Sequence, residues 1–212
     1  PLHGMQPVKS GNARVLCRAR VCAIIFSNTA LPDGTKGDTQ SLEQTNKTLI
    51  FKRAVSADLP EVLALFQAAR KRMDEQGIPQ WDEVYPNREV LSCDISRGEL
   101  TVCRIDGTIA CVFVLSEQYD EEYAQGSWRF PGSRFYVLHR LCVHPAFQNR
   151  RIAARAMDYI EEKLKNEGVE SMRLDAFSLN PYALRLYESR GYEKAGEVNF
   201  RKGLFYLYEK KL

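Results

Sequence analysis

One stretch, Arg134 to Ala153, limits the possible folds more than any other part of the chain. Phe135, Tyr136, Val137, Leu138, Leu141 and Val143 suit a pleated, buried strand. His144-Pro145 ends it, because proline brings no ladder donor and restricts the residue before it. From about Arg151 to Glu167 the spacing predicts a helix: Ala153, Met157, Ile160 and Leu164 fall on one stripe, and Gly168 stands where a helix stops. The turn between them, Gln148-Asn149-Arg150-Arg151, is basic and amide-rich. A strand, a short polar turn and a helix N-terminus make a place for phosphate. The first-turn N–H groups point out of the helix end, and the dipole favours an anion there. The competing reading is a buried strand feeding an ordinary amphipathic helix, and the turn alone does not decide between them.

Around this unit the chain alternates strand and helix patterns. Leu49–Val55 reads as a strand. Asp58-Leu-Pro60-Glu61 is a helix-start signature, with a capping side chain, proline in the first turn and Glu three residues on. Leu59, Val62, Phe66, Ala69 and Met73 mark the buried face of that helix. Gln76–Trp81 breaks it, and Asn87–Arg97 reads as a second helix closed by Gly98. Leu100–Ile105 and Ile109–Leu115 form a hairpin about Asp106-Gly107, a pair that accepts positive φ. Residues 118–132 read as an acidic, then aromatic, loop. After the central unit come a strand at 169–176, a short helix at 181–189 and a closing strand pair at 192–200 and 204–209. The order is β-α-α-β-β-β-α-β-α-β-β, an α/β chain whose mixed, mostly antiparallel sheet is flanked by helices. Residues 1–47 lack periodicity and read as a disordered N-terminal extension, with one domain over residues 48–212.

Charge and cysteine usage narrow the function classes. Residues 1–47 carry six basic and three acidic side chains, leaving 24 of each in the domain. A neutral domain has no bulk signature of nucleic-acid binding. The six cysteines (17, 22, 93, 103, 111 and 142) form no CxxC pair, which fits a reducing cytosolic setting without disulfides or a zinc site. No apolar run approaches the roughly 18 residues of a membrane span. Val21–Phe26, behind Arg14, Arg18 and Arg20, is too short for a convincing signal-peptide core.

Two motifs carry a resemblance. Gln148-x-x-Arg151-x-Ala153 keeps three of the four fixed positions of the Gln/Arg-x-x-Gly-x-Gly/Ala loop of the GCN5-related N-acetyltransferases, with Arg151 in the place of glycine. Asn180-Pro-Tyr-Ala183-x-x-Leu186-Tyr187-x-x-x-Gly191-Tyr192 keeps every fixed position of the family's second signature. The strand order is also the family's. The chain over 48–212 therefore resembles a single-domain GNAT-like α/β fold.

The resemblance implies transfer of an acetyl group from acetyl-CoA to a primary amine, by direct attack in a ternary complex and without a metal. It implies that the pantetheine arm pairs with the backbone of Leu141, Cys142 and Val143. The pyrophosphate then meets the amides of Gln148, Asn149, Arg150, Arg151, Ile152 and Ala153. Tyr187 becomes the candidate general acid, since a phenol can protonate a leaving thiolate; core packing is its alternative role. Asn180 stands near the pantetheine by resemblance and is an N-cap by its own chemistry. His139 is the candidate base and, with equal weight, a satisfied buried histidine; a water chain to a surface carboxylate could take its place. His144 reads as a turn residue. Trp81 lies in the segment that family members use as a lid, where it packs the acceptor or anchors the loop. Glu117, Asp120, Glu121 and Glu122 read as a solvated acidic face.

For Arg151 two outcomes stand. With helical φ and an outward side chain its amide still serves and its guanidinium reaches phosphate; pointing inward, it blocks the site. The partners implied are a small-molecule or peptide amine and, since the family often pairs through sheet edges, a second copy of the chain; neither nucleic acid nor membrane is implied. The other reading of the same fold is a non-catalytic acyl-CoA-binding or regulatory domain.

Overall fold

In the computed structural model the described residues are 48–212, so the expectations for residues 1–47 lie outside them. The elements run β1 (Ile50–Arg53), α1 (Leu59–Glu75), α2 (Arg88–Ser96), β2 (Leu100–Ile105), β3 (Thr108–Ser116), β4 (Phe135–Val143), α3 (Ile152–Asn166), β5 (Ser171–Phe177), α4 (Pro181–Ser189), β6 (Glu193–Phe200) and β7 (Gly203–Lys211). This is the order the sequence predicts. The seven strands form one sheet, β1-β2-β3-β4-β5-β7-β6, antiparallel except at β4–β5.

Helices cover both faces, which is why β3 is apolar almost throughout and β5 is buried at every residue, its polar Ser171, Arg173 and Asp175 included. On the first face α1 and α2 pack Val62, Leu65, Phe66 and Leu91 against Val112, Val114, Val137, Cys142, Phe177 and Leu207. On the second, α3 and α4 pack Ala153, Met157, Ile160, Leu164, Ala183 and Tyr187 against Cys111, Phe113, Leu138, Leu141 and Leu174. Each fully buried Leu, Ile, Met or Phe contributes about 1.5–3 kcal/mol relative to exposure.

Three local outcomes have clear physical causes. Asp106 and Gly107 both take positive φ, 49° and 82°, giving the primed turn that matches strand twist. Gly168 at φ 70° ends α3. The helix-start signature at Asp58 works differently from its expected role. Asp58 makes no side-chain bond to the α1 terminus. One of its oxygens accepts from the Val55 N–H and the other takes Arg104, both at 2.8 Å. Glu61 also takes Arg104, and accepts from the Ile109 N–H at 2.7 Å. A cation 46 residues downstream outcompetes the cap, so both carboxylates stitch α1 to the β2–β3 hairpin. β1 also ends at Arg53 rather than at Val55.

Candidate active site

The parallel pair β4–β5 is bonded from Phe135↔Ser171 to Leu138↔Leu174 and no further. Beyond that rung β5 keeps β7 as its neighbour as far as Phe177↔Phe205, and β4 keeps β3 as far as Val143↔Cys111. The cause lies in β4. Val114 pairs with His139 and Val112 with Cys142, so Arg140 and Leu141 together stand opposite the single residue Phe113. Such a bulge bends the strand and ends its pairing. Arg140 carries the bulge in left-handed backbone, φ 52°, a conformation that costs a non-glycine residue about 1–3 kcal/mol.

A buried ion pair holds that backbone. Arg140 and Asp94 of α2 are each 1% exposed and meet at 2.6 Å, and Arg140 also donates to the Tyr85 hydroxyl. Burial works against the Arg140 charge, but Tyr85 and Asp94 together hold its pKa above the ordinary arginine value. The β4 edge from His139 to Val143 therefore presents backbone N–H and C=O groups toward the parting, with no β5 rung to take them.

β4 leads through His144 and a 3-10 turn, Pro145–Phe147, to α3. The His144 Nδ1 accepts from the Ala146 N–H at 3.1 Å, as a turn residue does. Burial lowers the His144 pKa against the opposing pull of Glu61, so the imidazole stays a neutral acceptor. Asn149 and Arg151 take positive φ, 63° and 56°. Arg151 is therefore not the first helical residue but the N-cap before Ile152, and its side chain is exposed. The expectation of a helical φ is corrected: the backbone keeps the conformation a glycine would supply, and the side chain swings outward. The Arg150 guanidinium lies over the Phe147 ring at 5.4 Å.

The Gln148 side-chain nitrogen is enclosed with no hydrogen-bond partner. An orphaned donor, two cations and the unbonded amides of a first helical turn are a donor set suited to a phosphate-bearing ligand. The residues at this turn fit the coenzyme that the sequence implies.

Cross-strand pairing fixes which face each residue serves. His139 pairs with Val114 and Asp175 with Leu207, and both partners belong to the α1–α2 face. His139 and Asp175, the first residues beyond the last rung, thus stand on the same face, both fully buried. The His139 Nε2 is 3.2 Å from the Gln118 carbonyl, and the Tyr123 hydroxyl donates to Asp175 at 2.7 Å. Asp175 carried no signal in the sequence, because only strand register sets it on the same sheet face as His139. Glu117 and Glu121 are exposed and Asp120 and Glu122 half-buried, while the aromatic Tyr123 of the same loop is buried.

Cys142 points into the α1–α2 core, and burial pushes its thiol pKa well up, which keeps it protonated. Leu141 and Val143 point into the opposite core, so the backbone of all three is the part that meets the parting. Asn180 caps α4 through Ala183 N–H at 3.1 Å, and its Nδ2 donates to Gln80 at 2.9 Å. It thereby ties the α1–α2 connection to the end of β5. Tyr187 is fully buried, edge-on to Tyr192 at 5.7 Å. Trp81 is 2% exposed, packed on Phe66 at 5.0 Å, and its indole N–H has no partner. It forms part of the wall of a cleft of about 340 Å³ between α1 and the connection.

A seven-stranded sheet that parts between two parallel strands, with a helix N-terminus closing the parting, defines the acetyltransferase class of α/β folds. The chain belongs to the acetyltransferase (GNAT) family, whose sequence model matches residues 64–192. No curated protein matches it. Among solved structures it is similar to a GNAT-family acetyltransferase from Streptococcus agalactiae, with TM-score 0.68 and 23% identity over 79% of this chain and 99% of that one. The PaiA N-acetyltransferase of Thermoplasma acidophilum, solved with coenzyme A, gives TM-score 0.59 and 16% identity over 78% and 99%. The ribosomal-protein-S18-alanine N-acetyltransferase of Escherichia coli gives 0.57 and 16% over 77% and 94%. At these identities the likeness is one of fold. Among the described residues no helix is long and apolar enough to cross a membrane.

Proposed function

We propose that the protein is an N-acetyltransferase that moves an acetyl group from acetyl-CoA to a primary amine within a ternary complex. The observation that carries this reading is the end of β4–β5 pairing at Leu138↔Leu174, directly before the α3 N-terminus. The backbone of Leu141, Cys142 and Val143 takes the amide-bearing pantetheine arm in place of the lost β5 rungs. The amides of Gln148–Ala153, with Arg150 and Arg151, take the pyrophosphate. A solved structure of similar fold, the PaiA N-acetyltransferase of Thermoplasma acidophilum, contains coenzyme A, which supports a coenzyme as the ligand.

In this scheme His139 accepts a proton from the acceptor ammonium, and the freed nitrogen attacks the thioester carbonyl carbon. The nitrogen of the adduct sheds its second proton to solvent, the C–S bond breaks, and Tyr187 gives a proton to the departing sulfur; solvent then takes the proton from His139 and returns one to Tyr187. The burial of the Cys142 side chain in the α1–α2 core supports direct transfer rather than passage through a cysteine thioester. We place the protein in the cytosol, where the free thiols of Cys93, Cys103, Cys111 and Cys142 persist. Pairing of two copies along the exposed sheet edges, β1 or β6, belongs to the same reading.

One observation favours the other reading, a domain that binds acyl-CoA without catalysis. Tyr187 is sealed among Tyr192 and Tyr208, which is what a purely structural tyrosine would show. Two measurements separate the two readings. Calorimetric titration with acetyl-CoA gives saturable binding under both. Thiol release in the presence of an amine panel occurs only under transfer. Binding without thiol release from any amine refutes transfer, and no binding at millimolar acetyl-CoA refutes both.

A further inference from the structure

Two segments meet at the C-terminal end of β5, and they are tied together. The β6–β7 turn, Arg201-Lys202, projects past the end of β5, because the last β5 residue, Phe177, pairs with Phe205. The α1–α2 connection reaches the same end, where Gln80 meets Asn180. Between them Arg201 donates both terminal nitrogens to the two oxygens of Asp82, at 2.8 Å each, and Lys202 adds a contact at 3.4 Å. This strap joins the α1–α2 connection to the β6–β7 turn.

The strap is built for exchange. Two cations share one carboxylate, which leaves a positive charge uncompensated within the cluster. The Arg201 side chain is 48% exposed, so an anion arriving from solvent can reach its guanidinium. Asp82 does not depend on it, because one of its oxygens also accepts the Val84 and Tyr85 N–H groups, at 3.1 and 3.2 Å. An incoming carboxylate can therefore take the Arg201 fork while Asp82 keeps partners of its own. The planar guanidinium matches a carboxylate in two-point geometry.

Register gives the span. Leu207 is level with Asp175, and Lys202 lies five residues further along β7 and its turn. At the strand rise, less the reach of the side chains, the cations stand about 10–16 Å along the strands from the level of Asp175. The carboxylate of an α-amino acid lies too close to its own amine to cover that distance. An extended peptide covers it with the side chain of its third or fourth residue, at about 3.3 Å per residue.

We propose that Arg201 and Lys202 form a carboxylate subsite of the acceptor channel, and that the acceptor is an acidic peptide presenting a free N-terminus, with Asp or Glu at its third or fourth residue. This rests on the acetyltransferase reading. The strap releases Asp82 as the peptide's carboxylate arrives, so binding the right acceptor opens the mouth.

The test uses the full chain, acetyl-CoA and thiol release. The acceptors are peptides carrying Asp or Glu at the third or fourth position, their Asn or Gln twins, and free amino acids. The expected result is at least a tenfold preference in kcat/KM for the acidic peptide, expressed mainly in KM. The preference falls to within twofold in the Arg201→Gln, Lys202→Gln double variant, while acetyl-CoA affinity measured by calorimetry stays within twofold of the parent. Equal turnover of the twins, a preference that survives in the variant, or faster turnover of free amino acids overturns the subsite and leaves the acetyltransferase reading standing. Absence of turnover with every amine, despite coenzyme binding, overturns that reading and the subsite with it.

Discussion

Replacing Arg151 by glycine and, separately, by alanine separates two pictures of the coenzyme loop that predict opposite signs. Arg151 holds φ 56°, ψ 20° at the N-cap of α3. Left-handed backbone costs a residue with a Cβ about 1–2 kcal/mol, and glycine escapes that cost. Glycine also loses about 0.5–1 kcal/mol through the extra freedom of its unfolded chain. The Arg151→Gly variant should therefore be as stable as the parent or up to about 1.5 kcal/mol more stable. Arg151→Ala keeps the cost and gains nothing, so glycine should exceed alanine by about 1 kcal/mol, or roughly 2–4 °C in Tm for a domain of this size. Were Arg151 a helical residue, glycine would instead fall below alanine by about 1 kcal/mol. Urea unfolding and calorimetry of the two variants measure the difference directly, and an alanine variant more stable than the glycine one refutes the left-handed assignment. The same proteins test the outward side chain. Each loses one exposed cation at the proposed pyrophosphate site, for which about 0.3–1 kcal/mol of coenzyme affinity, a two- to fivefold weakening, is expected. Binding tightened more than tenfold in either variant would mean that the guanidinium obstructs the site.

Three further outcomes follow from the geometry. Asp94→Ala leaves the Arg140 guanidinium buried without its carboxylate, and should cost about 3–5 kcal/mol in urea unfolding; the paired change Asp94→Leu, Arg140→Met should recover most of the loss. Tyr187→Phe should lower kcat about 100-fold or more while acetyl-CoA affinity stays within twofold, and an unchanged kcat removes Tyr187 from the reaction. Arg201 holds the Asp82 pKa down to about 2, with Lys202 helping against burial. Since the folded pKa lies below the ordinary aspartate value of about 3.9, the pair's contribution is complete above about pH 4 and fades as pH falls through 2. The difference in Tm between the parent and Asp82→Asn should shrink over that window, and a difference constant from pH 7 to pH 2 contradicts the pairing.

Periodicity and punctuation carried the architecture. The stripe Ala153, Met157, Ile160, Leu164, the turn Asp106-Gly107 and the stop at Gly168 each depend on short-range chemistry, and each stands where the residues place it. What the sequence could not show depends on partners far along the chain. Asp58 and Glu61 carry a cap signature, yet Arg104 claims them because the hairpin end lands beside α1. Arg140 reads as one polar residue in an apolar strand, and only the fold brings Asp94 and Tyr85 to its charge. Asp175 shares a sheet face with His139 only through register, and Asp82 meets Arg201 across 119 residues. Arginine has no preference for left-handed backbone, so the conformation of Arg151 was hidden even though its place in the loop was plain.

Amide hydrogen exchange, with and without saturating acetyl-CoA, tests the central claim most directly. If the coenzyme lies along the unpaired edge of β4 and ends on the α3 N-terminus, exchange should slow at residues 139–143 and 148–153 together, while the β1–β2 edge stays unchanged. Saturation of the protein without added protection in either stretch would place the ligand elsewhere and contradict the account.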